Sequence, residues 1–230
     1  RAMIPITFNG IDPLFMYTQL LKEAIMQMND EDDKYIEELV DYCHHQDGID
    51  ENAIRMLENN YRRYTPIWWY TAPFFIYSML NRGLRMMEAD IIIKMGFFIR
   101  HLHNHLIELH AEQQKSAKAR TTAFVVYRGQ GLPEEDFDKI RRVKGSLMSF
   151  NNFLSTSDNR KISLSFAKES KGKANLVPVL FTMTIDPEIC RQSSIAFADV
   201  RTEGFFKAEE EEILFSTHTI FPKKLGKIHR

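Results

Sequence analysis

The feature that most constrains the fold is a change in hydrophobic periodicity near Thr121. Up to about residue 118, apolar residues recur every three or four positions, as in "DPLFMYTQLLKEAIMQMN" and "DEDDKYIEELVDYCHHQ", which predicts amphipathic helices. Beyond Thr121, runs rich in β-branched and aromatic residues, such as "TTAFVVYRG" and "ANLVPVLFTMTID", predict strands. We therefore predict one α+β domain over residues 1–230, with a helical lobe (1–118) and a mixed, mostly antiparallel, β-sandwich-like core (119–230).

Local patterns locate the ends of several of these elements. Asp50 opens the helical stretch "DENAIRMLENNYRRYT" and is predicted to cap it, because a short carboxylate accepts hydrogen bonds from a helix N-terminus. In "NRKISLSFAKES" the spacing is again helical, with Asp158 or Asn159 as the cap. "GSLMSFNNFLSTS" predicts two short strands, and Pro178 predicts an edge position for its strand because proline lacks an N–H group.

An aromatic stretch from Pro66 to Gly83, "PIWWYTAPFFIYSMLNRG", is the most membrane-like part of the chain. It contains Pro73 and falls short of the ~20 apolar residues that a membrane span needs, so we interpret it as a buried helix. Large apolar side chains at helical spacing usually pack in a core. We assign four of them to the core, namely Trp68, Trp69, Phe74 and Phe75.

The composition is ordinary for a soluble globular protein, with 44% apolar and 27% charged residues. The formal net charge of −1 gives no reason to expect nucleic acid or an anionic membrane as a partner. Two cysteines, Cys43 and Cys190, are too few for a disulfide framework, which is compatible with a reducing compartment.

The histidines of "RHLHNHLIELH" are the first candidates for a metal site. A long helix predicted over "EADIIIKMGFFIRHLHNHLIELHAEQQ" would place His101 and His105 on one face. No HExxH motif is present and no carboxylate completes the set, so we expect solvated histidines and no metal. P-loop, GxGxxG and GxSxG motifs are also absent, so nothing indicates a nucleoside triphosphate, a Rossmann site or a serine nucleophile.

Three short polar stretches have two interpretations each. In "VVYRGQ", Arg128 ends a predicted strand and Gly129 follows, so the pair is either a pyrophosphate clamp or a surface arginine at a turn. In "FLSTS", the hydroxyl cluster that begins at Ser155 either orients a ligand or caps the next helix. In "AEEEEILFS", a strand would put Glu210 and Glu212 on one face, either as an acid–base pair or within a solvated segment.

The order and spacing of these stretches resemble the R-S-E group of mono-ADP-ribosyltransferases, which includes vertebrate ecto-enzymes and bacterial toxins that modify arginine. Arg128 comes first, "STS" begins 27 residues later, and the "ExE" pattern ends at Glu212 directly before "ILF". The matching motifs lie between Thr121 and Phe221, and the preceding helical lobe resembles the family in character only. The resemblance implies an enzyme that cleaves the nicotinamide–ribose bond of NAD and transfers ADP-ribose to arginine.

The resemblance also implies a role for each matched residue. Arg128 would bind the NAD phosphates, and the backbone of Gly129 would hold the nicotinamide amide. Ser155 would position the substrate and the catalytic carboxylate, and Phe166 would stack on the nicotinamide ring. Glu212 would bind the nicotinamide ribose and stabilise the ribosyl cation, as a carboxylate does in glycoside hydrolysis.

Acceptor recognition is expected just before the catalytic glutamate. Glu210 would pair with the acceptor guanidinium and take its proton. In "DVRTEGFFK", Phe205 or Phe206 would contact the target protein, with inward packing as the alternative. The run of four glutamates also permits a register one residue earlier, with Glu209 and Glu211 as the pair.

The resemblance implies NAD as a substrate, no metal, and a target protein that presents an arginine. We expect a monomer with neither nucleic acid nor membrane as a partner. The disulfide cysteines and signal sequence of the vertebrate ecto-enzymes are absent, which favours an intracellular location, with a secreted, toxin-like one as the alternative. Two other functions fit the same fold: an NAD glycohydrolase, in which water captures the cation, and a non-catalytic protein-interaction module.

Overall fold

The computed structural model describes residues 3–6, 13–28, 31–117, 119–142, 147–206 and 211–222. The first part of the chain is helical, as its periodicity predicts. Its helices are α1 Pro13–Met26, α2 Asp32–His44, α3 Glu51–Asn60, α4 Pro66–Thr71, α5 Phe75–Met86, α6 Ala89–Lys94 and α7 Gly96–Lys115, with a 3-10 turn at Tyr61–Arg63.

The second part contains most of the strands. The described strands are β1 Met3–Ile6, which precedes the helices, and then β2 Phe124–Pro133, β3 Leu147–Phe150, β4 Leu154–Ser157, β5 Leu176–Ile185, β6 Phe197–Asp199, β7 Glu212–Phe215 and β8 Thr219–Pro222. Three helices lie between them, namely α8 Glu134–Arg142, α9 Arg160–Lys168 and α10 Pro187–Gln192. The α+β prediction is confirmed, although β1, α8 and α10 lie in segments for which the sequence patterns above predicted no element.

The helix caps follow the predicted chemistry. The side chain of Asp50 accepts a hydrogen bond from the backbone N–H of Asn52, and Asn159 accepts one from Lys161. The predicted aromatic helix is wrong in one respect, because it is divided into α4 and α5. Proline has no N–H group and disfavours helical geometry in the residue before it, and Ala72, just before Pro73, is extended (φ −65°, ψ 148°).

The described strands form two antiparallel sheets. One has the order β1-β3-β8, and the other has the order β5-β2-β4-β7-β6. Every pairing between described strands is antiparallel. Pro178 lies in β5 at the edge of the five-stranded sheet, as predicted, because proline cannot donate to a second neighbour. The segment "LGKIHR", whose sequence pattern predicts a further strand, lies outside the described residues.

Strand β7 is buried on both faces and therefore joins two hydrophobic cores. Leu214 packs with the helical lobe, together with Trp69 and Phe153. Ile213 and Phe215 point to the opposite face of the sheet, as the alternation of side chains along a strand requires, and pack in the core between the two sheets. The face of β7 that carries Leu214 is thus the face that meets the helices.

Helix α7 protects the β6 edge of the larger sheet. The Nδ1 atom of His110 lies 2.7 Å from the carbonyl oxygen of Phe197. The Gln113 side chain donates to the carbonyl oxygen of Asp199 (2.7 Å) and accepts from its N–H (2.9 Å). The side chains of His110 and Gln113 thus pair with polar groups that an edge strand would otherwise expose, and they tie the helical lobe to the sheet.

Two further findings concern the whole described chain. Within the described residues, no helix combines the length and the apolar character that crossing a bilayer requires. Cys43 and Cys190 are buried free thiols. Burial raises the pKa of Cys43 to about 12 and that of Cys190 to about 11, so both remain protonated at neutral pH.

Candidate active site

A cleft of about 390 Å³ lies between the helical lobe and the five-stranded sheet. This volume is within the range of small-molecule sites, roughly 300–1,000 Å³. Strand β2 pairs with β5 over its whole length, whereas it pairs with β4 where Tyr127 is opposite Ser157. Strands β2 and β4 therefore diverge on the side of the cleft. Six residues predicted from the sequence line it: Arg128, Gly129, Ser155, Phe166, Phe206 and Glu212.

Arg128 is held in a defined orientation inside this cleft. Its Nη1 donates to the carbonyl oxygen of Ser155 (2.7 Å), and its Nε donates to Oε1 of Gln130 (2.9 Å). No carboxylate among the described residues lies within ion-pair distance of the guanidinium. The prediction that Arg128 ends a strand is wrong, because β2 continues to Pro133 with its pairing to β5 intact. An oriented guanidinium without a carboxylate partner is suited to an anionic ligand.

Gly129 allows α9 to pack directly on β2. A Cβ atom at this position would lie 1.6 Å from the carbonyl oxygen of Ser163 and 2.7 Å from the backbone nitrogen of Ala167. The Ser163 hydroxyl also donates to the carbonyl oxygen of Tyr127 (2.9 Å). The space that the absent side chain leaves is therefore occupied by the backbone of α9, which forms one wall of the cleft.

The strand register brings hydroxyl groups beside Glu212. Ser157 pairs directly with Glu212 across β4 and β7, and Ser157 also pairs with Tyr127 on β2. Directly opposed residues of an antiparallel pair present their side chains on the same face. Ser155, the predicted positioning residue, is instead opposite Leu214 and contributes its carbonyl oxygen to Arg128. The register partner of Glu212 is thus the third residue of "STS".

Glu212 is a buried carboxylate at the start of β7, with 7% of its surface exposed. By strand alternation it shares a face with Leu214, so it points toward the helical lobe. The buried phenol of Tyr70 faces the same cleft. Burial raises the pKa of Tyr70 well above its usual value, with smaller electrostatic effects from Arg128 and Glu212, so Tyr70 is a neutral hydrogen-bonding group.

Glu211, directly before Glu212, is not part of the strand. Glu211 has a left-handed backbone (φ 46°) and is absent from the cleft lining, and β7 begins one residue later. The prediction that strand alternation orders these carboxylates by face is therefore wrong at Glu211, because a left-handed residue interrupts the extended geometry. Glu209 and Glu210 lie outside the described residues.

Two of the three predicted aromatic residues, Phe166 and Phe206, line the cleft. Phe166 on α9 lines it with 44% of its surface exposed. Phe206 also lines the cleft and is half-buried. Phe205 is 40% exposed and packs edge-on against Trp68 of α4, with ring centroids 5.4 Å apart. Phe205 and Phe206 therefore face different surroundings, one at the helical lobe and one inside the cleft.

The helix histidines are wrongly predicted as solvated. Nδ1 of His101 lies 2.8 Å from the Tyr61 hydroxyl, and its Nε2 lies 3.1 Å from Oδ2 of Asp32. The buried Arg100 side chain donates to the other oxygen of Asp32 (2.8 Å). This network ties α7 to the start of α2. Among the described residues, no group of three or more histidine, cysteine or acidic side chains could hold a metal ion.

Several cleft residues have no distinguishing sequence pattern. Tyr70 and Tyr77 belong to the aromatic stretch, where apolar spacing predicts core packing. Gln130 follows the "RG" pair, and its contact with Arg128 depends on side-chain orientation. Ser157 lies in "STS", but its pairing with Glu212 depends on a register between distant segments. Only the tertiary structure brings these residues to the cleft.

The cleft thus combines an oriented guanidinium, a buried carboxylate and exposed aromatic rings in an α+β fold. No protein-family model matches the chain, and no curated protein matches it. The solved structures that resemble it in fold include ADP-ribosyltransferases. One is HopU1 of Pseudomonas syringae pv. tomato DC3000, at 17% identity and a TM-score of 0.47, covering 81% of this chain and 79% of that chain.

Two others are structures of the ADP-ribosyltransferase Vis. The complex with M6 inhibitor is 16% identical with a TM-score of 0.45, and the complex with agmatine is 17% identical with a TM-score of 0.44. Each covers 87% of this chain and 81% of that chain. These likenesses concern the fold.

Proposed function

We propose that this chain transfers ADP-ribose from NAD to an arginine side chain of a target protein and releases nicotinamide. The observation that supports the proposal is the presence of Arg128 and the buried Glu212 in one cleft of about 390 Å³. NAD carries an anionic pyrophosphate, and its reaction develops a cation at the nicotinamide ribose. A site for this reaction needs a cationic group to bind the pyrophosphate and an anionic group to stabilise the ribosyl cation.

Arg128 is the proposed phosphate anchor. Its contacts with Gln130 and the Ser155 carbonyl hold the guanidinium plane in place before a ligand binds. Such preorganisation reduces the entropy that binding must otherwise cost, and a planar guanidinium matches phosphate oxygens with two parallel N–H groups. Phe166, exposed at the wall formed by α9, is the proposed stacking partner of nicotinamide.

Glu212 is the proposed stabiliser of the ribosyl cation. The C–N bond between ribose and nicotinamide breaks with its electron pair leaving on nicotinamide, which gives an oxocarbenium-like ribose. A carboxylate ~4 Å from this cation contributes about 4 kcal/mol at an effective dielectric near 20, or about three decades of rate. A guanidine nitrogen of the acceptor then attacks the ribose carbon. Its proton passes to Glu210, which the resemblance assigns as the acceptor carboxylate.

The test measures nicotinamide release and ADP-ribosyl-agmatine formation during incubation with NAD and agmatine. We expect Glu212→Gln to lower nicotinamide release by about a thousandfold while folding and NAD affinity persist. Glu211→Gln is the matched control, because it removes an adjacent carboxylate that does not line the cleft, and it should retain activity. Full activity in Glu212→Gln, or loss confined to Glu211→Gln, would refute the assignment.

The products distinguish the proposal from its alternatives. Loss of the agmatine conjugate in Glu210→Gln, with nicotinamide release retained, would support arginine as the acceptor. Free ADP-ribose as the sole product, with agmatine and with candidate target proteins, would indicate an NAD glycohydrolase. Absence of NAD binding in calorimetry would favour a non-catalytic interaction module.

A further inference from the structure

Helix α4 borders the cleft and also contacts the loop of residues 200–206. Its C-terminal residues Tyr70 and Thr71 line the cleft. The Tyr70 hydroxyl donates to the carbonyl oxygen of Phe153 (2.9 Å), just before β4, so α4 is fixed to the sheet by a buried hydrogen bond. At its other end, the Thr65 side chain caps the helix at Trp68. Helix α4 is therefore capped at its N-terminus and attached to the sheet near its C-terminus.

The loop of residues 200–206, here called the acceptor loop, is attached at two places. At its base, the N–H of Val200 donates to the carbonyl oxygen of Glu212 (3.0 Å). At its far end, the N–H of Phe205 donates to Oγ1 of Thr71 on α4 (2.8 Å). Gly204 permits this approach, because a Cβ there would already lie 3.2 Å from the same hydroxyl oxygen.

The hydroxyl of Thr71 is oriented to accept this bond. It donates its own proton to the carbonyl oxygen of Ile67 (3.0 Å), one turn earlier in α4, which leaves the oxygen free to accept from Phe205. The Phe205 ring packs edge-on against Trp68, and Trp68 stacks on Tyr64 with ring centroids 3.9 Å apart. One hydrogen bond and one aromatic contact therefore hold the same residue of the acceptor loop.

The neighbouring residue shows what this attachment positions. Phe206 lines the cleft that contains Glu212, and its ring meets that of Phe205 edge-on at 5.1 Å. If Phe205 left α4, the backbone that orients Phe206 would lose its fixed end. The position of Phe206 at the cleft is thus coupled to α4 rather than to the sheet alone.

We propose that Thr71 and Trp68 are positioning residues that hold the acceptor loop and so favour capture of the ribosyl cation by a guanidine acceptor over capture by water. The inference rests on the proposed function, which assigns the cation to Glu212. It adds a part of the helical lobe to acceptor selection. Neither residue touches the reacting atoms, so their loss should change which nucleophile reacts more than the rate at which nicotinamide leaves.

The experiment compares Thr71→Val with Thr71→Ser. Valine preserves the branched shape but removes the acceptor of the Phe205 N–H, whereas serine retains the hydroxyl. We expect Thr71→Val to lower the ratio of ADP-ribosyl-agmatine to free ADP-ribose by about two- to tenfold, as loss of one hydrogen bond implies, and to raise the KM for agmatine. Thr71→Ser should restore both. Hydrogen exchange should show a faster-exchanging Phe205 amide in the valine variant only.

A second pair of variants tests the aromatic contact independently. Trp68→Leu should lower the same product ratio, whereas Trp68→Phe should retain it, with nicotinamide release in the absence of agmatine within about twofold of wild type for both. If the wild type is active and Thr71→Val changes neither the product ratio nor the exchange rate of the Phe205 amide, the inference would be overturned and the proposed function would stand. A folded wild type that releases no nicotinamide would overturn the proposed function and, with it, this inference.

Discussion

Replacing Gly129 with alanine would place a methyl group where α9 packs on β2. The added Cβ would lie 1.6 Å from the Ser163 carbonyl oxygen, whereas ordinary contacts begin at 3.4 Å. The neighbouring atoms belong to helix backbone, so no side-chain rotation relieves the overlap. Helix α9 must move away from β2 by about 2 Å, and overpacking of this kind typically costs about 1–3 kcal/mol, occasionally more.

We expect Gly129→Ala to lower the free energy of unfolding by about 3 kcal/mol, at the upper end of that range because the clash is with backbone. For a chain of this length, the melting temperature should fall by about 6–12 °C. Gly48→Ala is the matched control. Gly48 has a left-handed backbone (φ 85°) with no atom within 4 Å of a Cβ, so it should lose only the conformational cost of about 1–2 kcal/mol.

Urea unfolding followed by circular dichroism measures both variants. Equal midpoints for Gly129→Ala and Gly48→Ala would refute the packing explanation. A second consequence concerns the cleft, because α9 carries Ser163 and Phe166 in its lining. A folded Gly129→Ala variant should therefore bind NAD more weakly, as calorimetry would show. Loss of NAD affinity at unchanged stability would instead mean that the added methyl group obstructs the ligand directly.

Two further predictions concern the buried ion pair of Asp32 in the helical lobe and the buried side chain of His218. Asp32→Asn removes the carboxylate beside Arg100, whose side chain is 6% exposed, and should lower the free energy of unfolding in urea by about 3 kcal/mol. Asp33→Asn is the control: it breaks an exposed ion pair with Arg62 and should lower the same free energy by under ~1 kcal/mol. Equal losses in the two variants would contradict this prediction. Burial, reinforced by Lys22, lowers the pKa of His218 to about 4. As the pH drops, His218 is protonated in the unfolded chain, at its ordinary pKa of about 6.5, before it is protonated in the folded chain. The free energy of unfolding should therefore fall between about pH 6.5 and pH 4, by an amount on the order of 2 kcal/mol at pH 4.5. His218→Asn, which suits the left-handed backbone there (φ 62°), should reduce that loss in unfolding measured at pH 7 and 4.5, and an unchanged loss would contradict the assignment.

Much of the architecture could be predicted because it depends on short-range patterns. Asn159 was one of two predicted caps, and it needs only the backbone N–H groups of its own helix. Pro178 lies at a sheet edge because its missing N–H prevents pairing on one side, whatever the rest of the fold. Where local patterns compete, the prediction was less accurate. Proline divided the aromatic helix, and "RG" did not end β2.

The candidate site depends on contacts between residues that are distant in sequence, which local patterns do not predict. Periodicity and motif order predict the succession of helical and β-rich parts, and they identify Arg128 and Glu212 as charged groups of one site. The pairing of Ser157 with Glu212 is fixed by tertiary packing, since a one-residue shift in register would exchange the faces. Tertiary packing also fills the space at Gly129 with α9 and brings Thr71 to the acceptor loop. Periodicity within one helix or strand is set by neighbours along the chain, whereas these contacts join residues 34 to 134 positions apart, and only packing fixes such distances.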